Sequence, residues 1–329
     1  MVDAGAGADA GLWNDLVEQG WLGVDVPESD GGLGLGAVES AILFEEIGAH
    51  AAPVPLAPTV LALHALRAAG EAARVERLLS GSALGTVAWS AERTAVRADA
   101  GGALTGRCDP TLYAPRADVA VVFAVDPAGD DALYLVDLGT TGRPSAEPAL
   151  DETRELGWLH FDATPAVCIG DAAAAAALLD RAAVSTAAEM LGAAARVLDL
   201  SVEYAKERVQ FDRPIGSFQA VKHRCADMLV DVEGMRSTVY WAAWCIAAND
   251  PEQSIAASSA KVWGSDASKR VMASALQVHG GIGFTWEHDL HLFLKRAQLD
   301  QRSFGGAPFH RDRLATLLRP KVAAGESVI

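Results

Sequence analysis

With 329 residues, half of them hydrophobic, the chain is long enough for two or three domain-sized units around a substantial core. A formal charge of −16, with no clustered Lys/Arg stripe, argues against a nucleic-acid partner. Four scattered cysteines without a C-x-x-C pair argue against a zinc or dithiol centre and fit a reducing cytoplasm.

The opening "MVDAGAGADAGLWNDL" is polar and acidic, so no signal peptide is expected. No apolar run approaches the roughly 18 residues of a membrane span. Residues 10–80 read as helical. Leu12, Leu16 and Val17 fall on one face of the first helix, and Val38, Ile42, Leu43 and Ile47 on one face of the next. A third helix covers "PLAPTVLALHALRAAG", with Gly70 near its C-cap. From about residue 83 the runs "LGTVAWSAE", "ADVAVVFAVD" and "ALYLVDLG" predict short strands separated by turns such as "RADAGGA" and "DPAGDD". Beyond residue 170 the helical pattern returns in three long segments, one carrying Met228, Val232, Met235, Val239 and Ala242 at helical spacing. Trp241 and Trp244 on that helix read as core. Long helices joined by short loops predict a four-helix bundle. The fold class is therefore α+β, mainly α. It comprises a helical domain over 1–82, a β-barrel domain over 83–166 and a helical bundle over 167–329.

The most specific stretch is "YAKERVQFDRPIGSFQAVKHRCADM" (204–228). By itself it is a helix-loop-helix connection with a capping Arg. Together with "LQVHGGIGFTWEHDLHLFLKRA" (276–297) and "WLGVDVPESDGGLGLGAVESAILFEEIG" (21–48), it resembles the acyl-CoA dehydrogenases. In that family a helix ends in Arg, followed by a Phe, Gly, Pro and Phe-Gln pattern, and a later helix carries Gln-x-x-Gly-Gly-x-Gly. The resemblance implies FAD at a subunit interface. Arg208 would pair with the FAD pyrophosphate, Gln210 and Phe211 would flank its adenosine end, and Gln277, Gly280 and Gly281 would line the pyrophosphate. An ordinary helix C-cap remains the alternative for Gly280–Gly281.

Two departures follow. The family's Thr-Glu-Pro-x-x-Gly-Ser-Asp loop survives here only as Ser90–Ala91–Glu92, and its Trp-Ile-Thr strand is missing. The half-site for this subunit's own flavin ring is therefore expected to be eroded. The reaction also needs a carboxylate to take the α-proton of the thioester. Ungapped counting from Gly281 puts the family's loop Glu on Phe304, and a slip of one residue gives Ser303 or Gly305. An alternative base position at the start of the long helix falls on Ala182, near Asp180. Asp180 and Glu189 are the weak acidic candidates, and Asp300 reads as solvated. The late histidines His279, His288, His291 and His310 have no metal-ligand spacing.

The resemblance implies a base-lacking subunit of a heterotetrameric (α2β2) acyl-CoA dehydrogenase. Its partner, a full-length subunit, would carry the catalytic Glu. The substrate would be an acyl-CoA of fatty-acid or bulky steroid type, and an electron-transfer flavoprotein the acceptor. The alternatives are a homo-oligomeric flavoenzyme with a displaced base and a non-catalytic CoA-binding scaffold. No metal, nucleic acid or membrane contact is expected, and the location is read as cytoplasmic.

Overall fold

A computed structural model describes residues 8–326. Part of the N-terminal stretch read for a signal peptide lies outside the described residues. The helices are α1 (Ala10–Glu18), α2 (Ala37–Ala49), α3 (Leu56–Ala68), α4 (Ala72–Leu79), α5 (Leu138–Thr141), α6 (Ala172–Glu207), α7 (Gln219–Ala247), α8 (Gln253–His279), α9 (Leu290–Arg302) and α10 (Ala307–Ala323). The strands are β1 (Gly85–Ala88), β2 (Val96–Ala98), β3 (Leu104–Arg107), β4 (Thr111–Leu112), β5 (Val119–Val125), β6 (Asp131–Asp137), β7 (Leu156–Gly157), β8 (His160–Thr164), β9 (Val167–Gly170), β10 (Val209–Gln210) and β11 (Arg213–Pro214). The described residues thus run through helices, then strands, then helices, and are mainly helical. No helix among them is long and apolar enough to cross a membrane.

Two compact units emerge. The first contains the chain up to Ser40 and Pro53–Ala182. Its seven-stranded sheet has the order β8-β3-β2-β5-β6-β9, with β1 added in parallel beside β5. Strand β5 reads VAVVFAV and is buried along almost its whole length, as a central strand must be. Helix α3 is buried on nearly every face, which its all-round apolar sequence requires. It lies close to β1, where a Cβ on Gly85 would meet that of Ala62 at 2.7 Å. Gly70 follows α3 with φ +75°, the left-handed conformation expected of a helix-ending glycine.

The second unit contains Ala41–Ala52 and the chain from Ala183 onward. On α7 the predicted stripe Met228, Val232, Met235, Val239 and Ala242 is buried throughout. The alanine-rich part of α6 crosses the end of α2 through two glycines. A Cβ on Gly48 would lie 2.0 Å from the Glu189 carbonyl oxygen, and one on Gly192 1.8 Å from that of Glu45. Beside this crossing, Arg236 Nη1 and the Tyr240 hydroxyl donate to the two Glu45 carboxylate oxygens at 2.6 and 2.7 Å.

Three expectations about burial are overturned. On α2, Ile47 of the expected stripe is buried, but Ile42 is 44% exposed and Ala41 and Phe44 join the inner face instead, so the stripe is shifted in phase. Trp241 and Trp244 are 39% and 54% exposed rather than core, because the inner face of α7 is already filled by the stripe above. Asp300 is buried, on the side of α9 that meets α8.

Candidate functional site

Helix α6 ends at Glu207, and the Arg208 amide still donates to the Tyr204 carbonyl at 2.9 Å. The chain then forms a two-residue hairpin, with Val209 opposite Pro214 and Gln210 opposite Arg213. Phe211 and Asp212 form its tip, with φ of +54° and +61°. The Ile215 amide closes the hairpin by donating to the Arg208 carbonyl at 2.8 Å. Phe211 is 86% exposed and meets Phe218 only edge-on, at 6.0 Å between ring centres. The Arg213 guanidinium carbon lies over the same Phe218 ring, 4.2 Å from its centre. The Arg208 side chain is exposed and makes no hydrogen bond or ion pair with any described residue.

The other predicted segment sits at the end of α8. Gln277 is exposed, and Gly280 ends the helix with φ +63°. A Cβ on Gly280 or Gly281 would meet nothing within 4 Å, so packing does not account for these glycines. His279 stacks on Tyr204 of α6 at 4.7 Å, and His288 packs against it at 4.6 Å. This stack joins the ends of α6 and α8, which brings Arg208 and Gly280–Gly281 to one end of the second unit. The His279 Nδ1 lies 2.9 Å from the Ala275 carbonyl, while its buried Nε2 has no partner among the described residues. Burial lowers its pKa against the opposing effect of that carbonyl, and His288 lowers it further.

The segment between α9 and α10 is held from beneath. Lys261 Nζ donates to the Asp300 and Gln301 carbonyls at 2.8 and 3.3 Å, capping the C-terminus of α9. His310 Nε2 contacts the Phe304 carbonyl at 2.9 Å, which makes that nitrogen the donor. Its Nδ1 faces Ser258 Oγ, to which Arg313 also donates. Phe304 itself is 8% exposed with φ +54°. The position counted for the family's acid is therefore an inward-packed aromatic ring in a strained backbone.

Burial drives the Lys261 pKa down to about 7, with Asp300 opposing. Burial also takes His310 down to about 3, against its bond to Phe304, and Lys261 and Arg313 add to the depression. In the unfolded chain these groups titrate near about 10.4 and 6.5. Between pH 7 and about 10 the unfolded chain therefore holds a proton at Lys261 that the folded chain has released, so stability rises with pH there. Urea unfolding at pH 7 and pH 9 is expected to show this rise, at up to about 1.4 kcal/mol per pH unit. Lys261→Met should flatten it. Equal slopes in the two proteins would show that Lys261 does not titrate in this window.

Known proteins share this fold. Family models for the acyl-CoA dehydrogenase C-terminal and N-terminal domains match residues 171–318 and 2–86. Acyl-CoA dehydrogenase IpdE2 of Mycolicibacterium smegmatis is 37% identical over 292 residues, covering 88% of this chain and 82% of that relative. The chain belongs to the acyl-CoA dehydrogenase family. Among solved structures, the Tcur3481–Tcur3483 steroid ACAD, determined as a variant, superposes with a TM-score of 0.88 at 32% identity, covering 96% of this chain and 90% of that one. The ChsE4–ChsE5 complex from Mycobacterium tuberculosis gives 0.87 at 33% identity, with 95% and 88% covered.

In this acyl-CoA dehydrogenase the remaining acidic candidates are all buried. Glu189 lies 3.9 Å from Arg296, a fully buried guanidinium that also donates to the Ala51 and Ala52 carbonyls. Asp180 is buried on α6. Its neighbour Arg181 donates to Asp25 at 2.8 Å, and His64 meets the same carboxylate at 2.9 Å. Burial alone would raise the Asp25 pKa, but His64 and Arg181 outweigh it and bring it to about 2. Burial pushes His64 downward. Sequence patterning offered no signal for this cluster, whose members are far apart along the chain. In the β region, Asp109 Oδ2 accepts from the Ala91 amide and Ser90 Oγ accepts from the Asp109 amide, both at 3.0 Å. The remnant of the family's flavin-ring loop is thus tied to its own chain.

Proposed function

We propose that this chain is the base-lacking subunit of a heteromeric, FAD-dependent acyl-CoA dehydrogenase. The observation that carries the reading is Phe304. At the position counted for the family's loop acid stands a buried ring whose backbone carbonyl accepts from His310, and residues 303–306 carry no carboxylate. The α-proton of the thioester must then be taken by a carboxylate of the partner subunit. Glu189 is a poor substitute, because its carboxylate is buried and faces the equally buried Arg296 guanidinium at 3.9 Å. The two similar solved structures are named as pairs of proteins, one of them a steroid ACAD, which supports an α2β2 assembly and a bulky acyl-CoA.

The outward residues of the second unit fit FAD chemically. Arg208 offers an uncommitted guanidinium suited to a pyrophosphate. Gly280 and Gly281 leave backbone bare with open space in front of it. Phe211 presents a ring face, and Gln210 and Gln277 lie exposed beside these groups. When bound, FAD supplies the hydride acceptor for α,β-desaturation. This chain's part is to hold and orient the cofactor carried chiefly by the partner, and an electron-transfer flavoprotein is the family's usual acceptor.

The test is a visible spectrum. The chain purified alone is expected to carry no stoichiometric flavin. Co-expression with a full-length dehydrogenase partner should yield one flavin per pair, bleached by an acyl-CoA. Full flavin in the isolated chain, bleached by acyl-CoA, would sink the partner reading.

A further inference from the structure

Helix α7 is apolar on two opposite faces. The stripe of Met228, Val232, Met235, Val239 and Ala242 fills the core of its own unit. Val230, Trp241 and Trp244 stand out from the far side, with Leu229 at the edge, and Val230 is 67% exposed. Trp263 of α8 widens this outer face. Its indole lies against the α7 backbone, where a Cβ on Gly234 would meet it at 2.5 Å, and its ring nitrogen donates to the Asp231 carbonyl at 3.2 Å. The outward side of a surface helix is ordinarily polar. Tryptophans gathered on such a side have the composition of an interface core.

The outer face is complementary to itself. In the first half of α7 it opens into a groove of about 420 Å³, walled by Leu198 and Val202 of α6 and by Cys225 and Leu229 of α7. Near the end of α7 it raises Trp244. Between them stands Ser237, a small exposed residue. A knob and a hole on either side of a small midpoint fit a second copy turned by a two-fold axis. With Ser237 on that axis, Trp244 of one copy falls opposite Val230 of the other, beside the groove. The basic start of the helix, Lys222 and His223, then falls near the acidic turn after it, Asp250 and Glu252. We propose that two copies of this chain pack antiparallel through the outer face of α7, each seating Trp244 in the other's α6–α7 groove. The three tryptophans, 39–54% exposed, remove about 650 Å² over both copies, and Leu229, Val230 and the groove walls carry the total toward the roughly 1,000 Å² of a specific interface. Trp244 lies about 39 Å along α7 from Phe218 at the hairpin, which leaves the cofactor end to the partner subunit. This contact presupposes the α2β2 assembly proposed above, in which it joins two heterodimers.

The test uses the complex co-expressed with its full-length partner, its mass measured by light scattering after gel filtration. The native complex should have the mass of α2β2. Trp244→Glu should halve that mass to one copy of each chain, with one flavin per pair retained, because a carboxylate is disfavoured inside an apolar groove. The loss of two symmetry-related anchors should weaken the tetramer by roughly 1,000-fold, about 30-fold for each. Ser237→Cys gives an independent reading and alters only an exposed side chain. A short bismaleimide should then join two copies of this chain to each other, beyond any product that the native cysteines give. An α2β2 mass retained by Trp244→Glu overturns the proposal, as does a Ser237→Cys tetramer with no added chain-to-chain product. Loss of the partner and its flavin from Trp244→Glu also overturns it, and gives the face to the partner subunit. A native complex holding one copy of each chain would remove the α2β2 assembly itself, and this contact with it.

Discussion

Gly192→Ala is expected to lower the melting temperature of the protein by about 5–10 °C, or to abolish folding outright. The added methyl would lie 1.8 Å from the Glu45 carbonyl oxygen and 2.8 Å from the Ala49 amide nitrogen. Both are backbone atoms, so no rotamer change relieves the overlap and α2 and α6 must move apart. Separation would disturb the reciprocal contact at Gly48 and strain the Glu45 bonds to Arg236 and Tyr240. Overpacking of this kind costs about 1–3 kcal/mol where side chains can adjust, and a rigid obstacle puts this case at or above the upper end. Gly264→Ala is the control. Its methyl would meet the flexible end of Met190 at 3.2 Å, and a shift of less than a third as much is expected. Thermal melts of the two variants decide the matter, and a Gly192→Ala melt within about 2 °C of the native protein would refute the close-crossing argument.

Arg208→Ala in the assembled complex is expected to weaken FAD binding by roughly 30- to 100-fold, the scale of losing about 2–3 kcal/mol of charge-assisted hydrogen bonding to phosphate. Because the guanidinium makes no bond within the described chain, its removal should leave the apo melting temperature unchanged. That combination, lost cofactor with intact stability, is what separates a ligand-holding arginine from a helix-capping one. Arg208→Lys should recover only part of the affinity, since an ammonium lacks the planar fork. Flavin content measured after gel filtration gives the readout. Native occupancy in Arg208→Ala would remove this residue from the site.

Much of this was legible along the chain because it is local. The stripe on α7 follows from a 3.6-residue period, and β5 and β6 were readable as β-rich runs bounded by turns. The short strands β2, β3, β8 and β9 were not, because three to five residues with mixed polarity carry no period of their own. The register of α2 was misjudged for a related reason. Apolar residues lie on several sides of that helix, and the close crossing with α6 at Gly48 and Gly192 fixes which side turns inward. In the same way the tryptophans of α7 look like core by composition, yet the inner face was already occupied.

The sequence by itself determined the order of elements, the family, the motif whose residues are proposed to face the cofactor, and the absence of an acid at position 304. These are matters of residue identity and spacing, which a chain displays without folding. Only the tertiary structure decided that Phe304 is packed inward and held by His310, and that Lys261 is buried under the end of α9. It also decided that Asp300 is buried and that Asp212 stands strained and unpartnered at a hairpin tip. Those facts depend on which distant segments meet, and on whether a charged or strained group finds its compensation inside the chain or outside it.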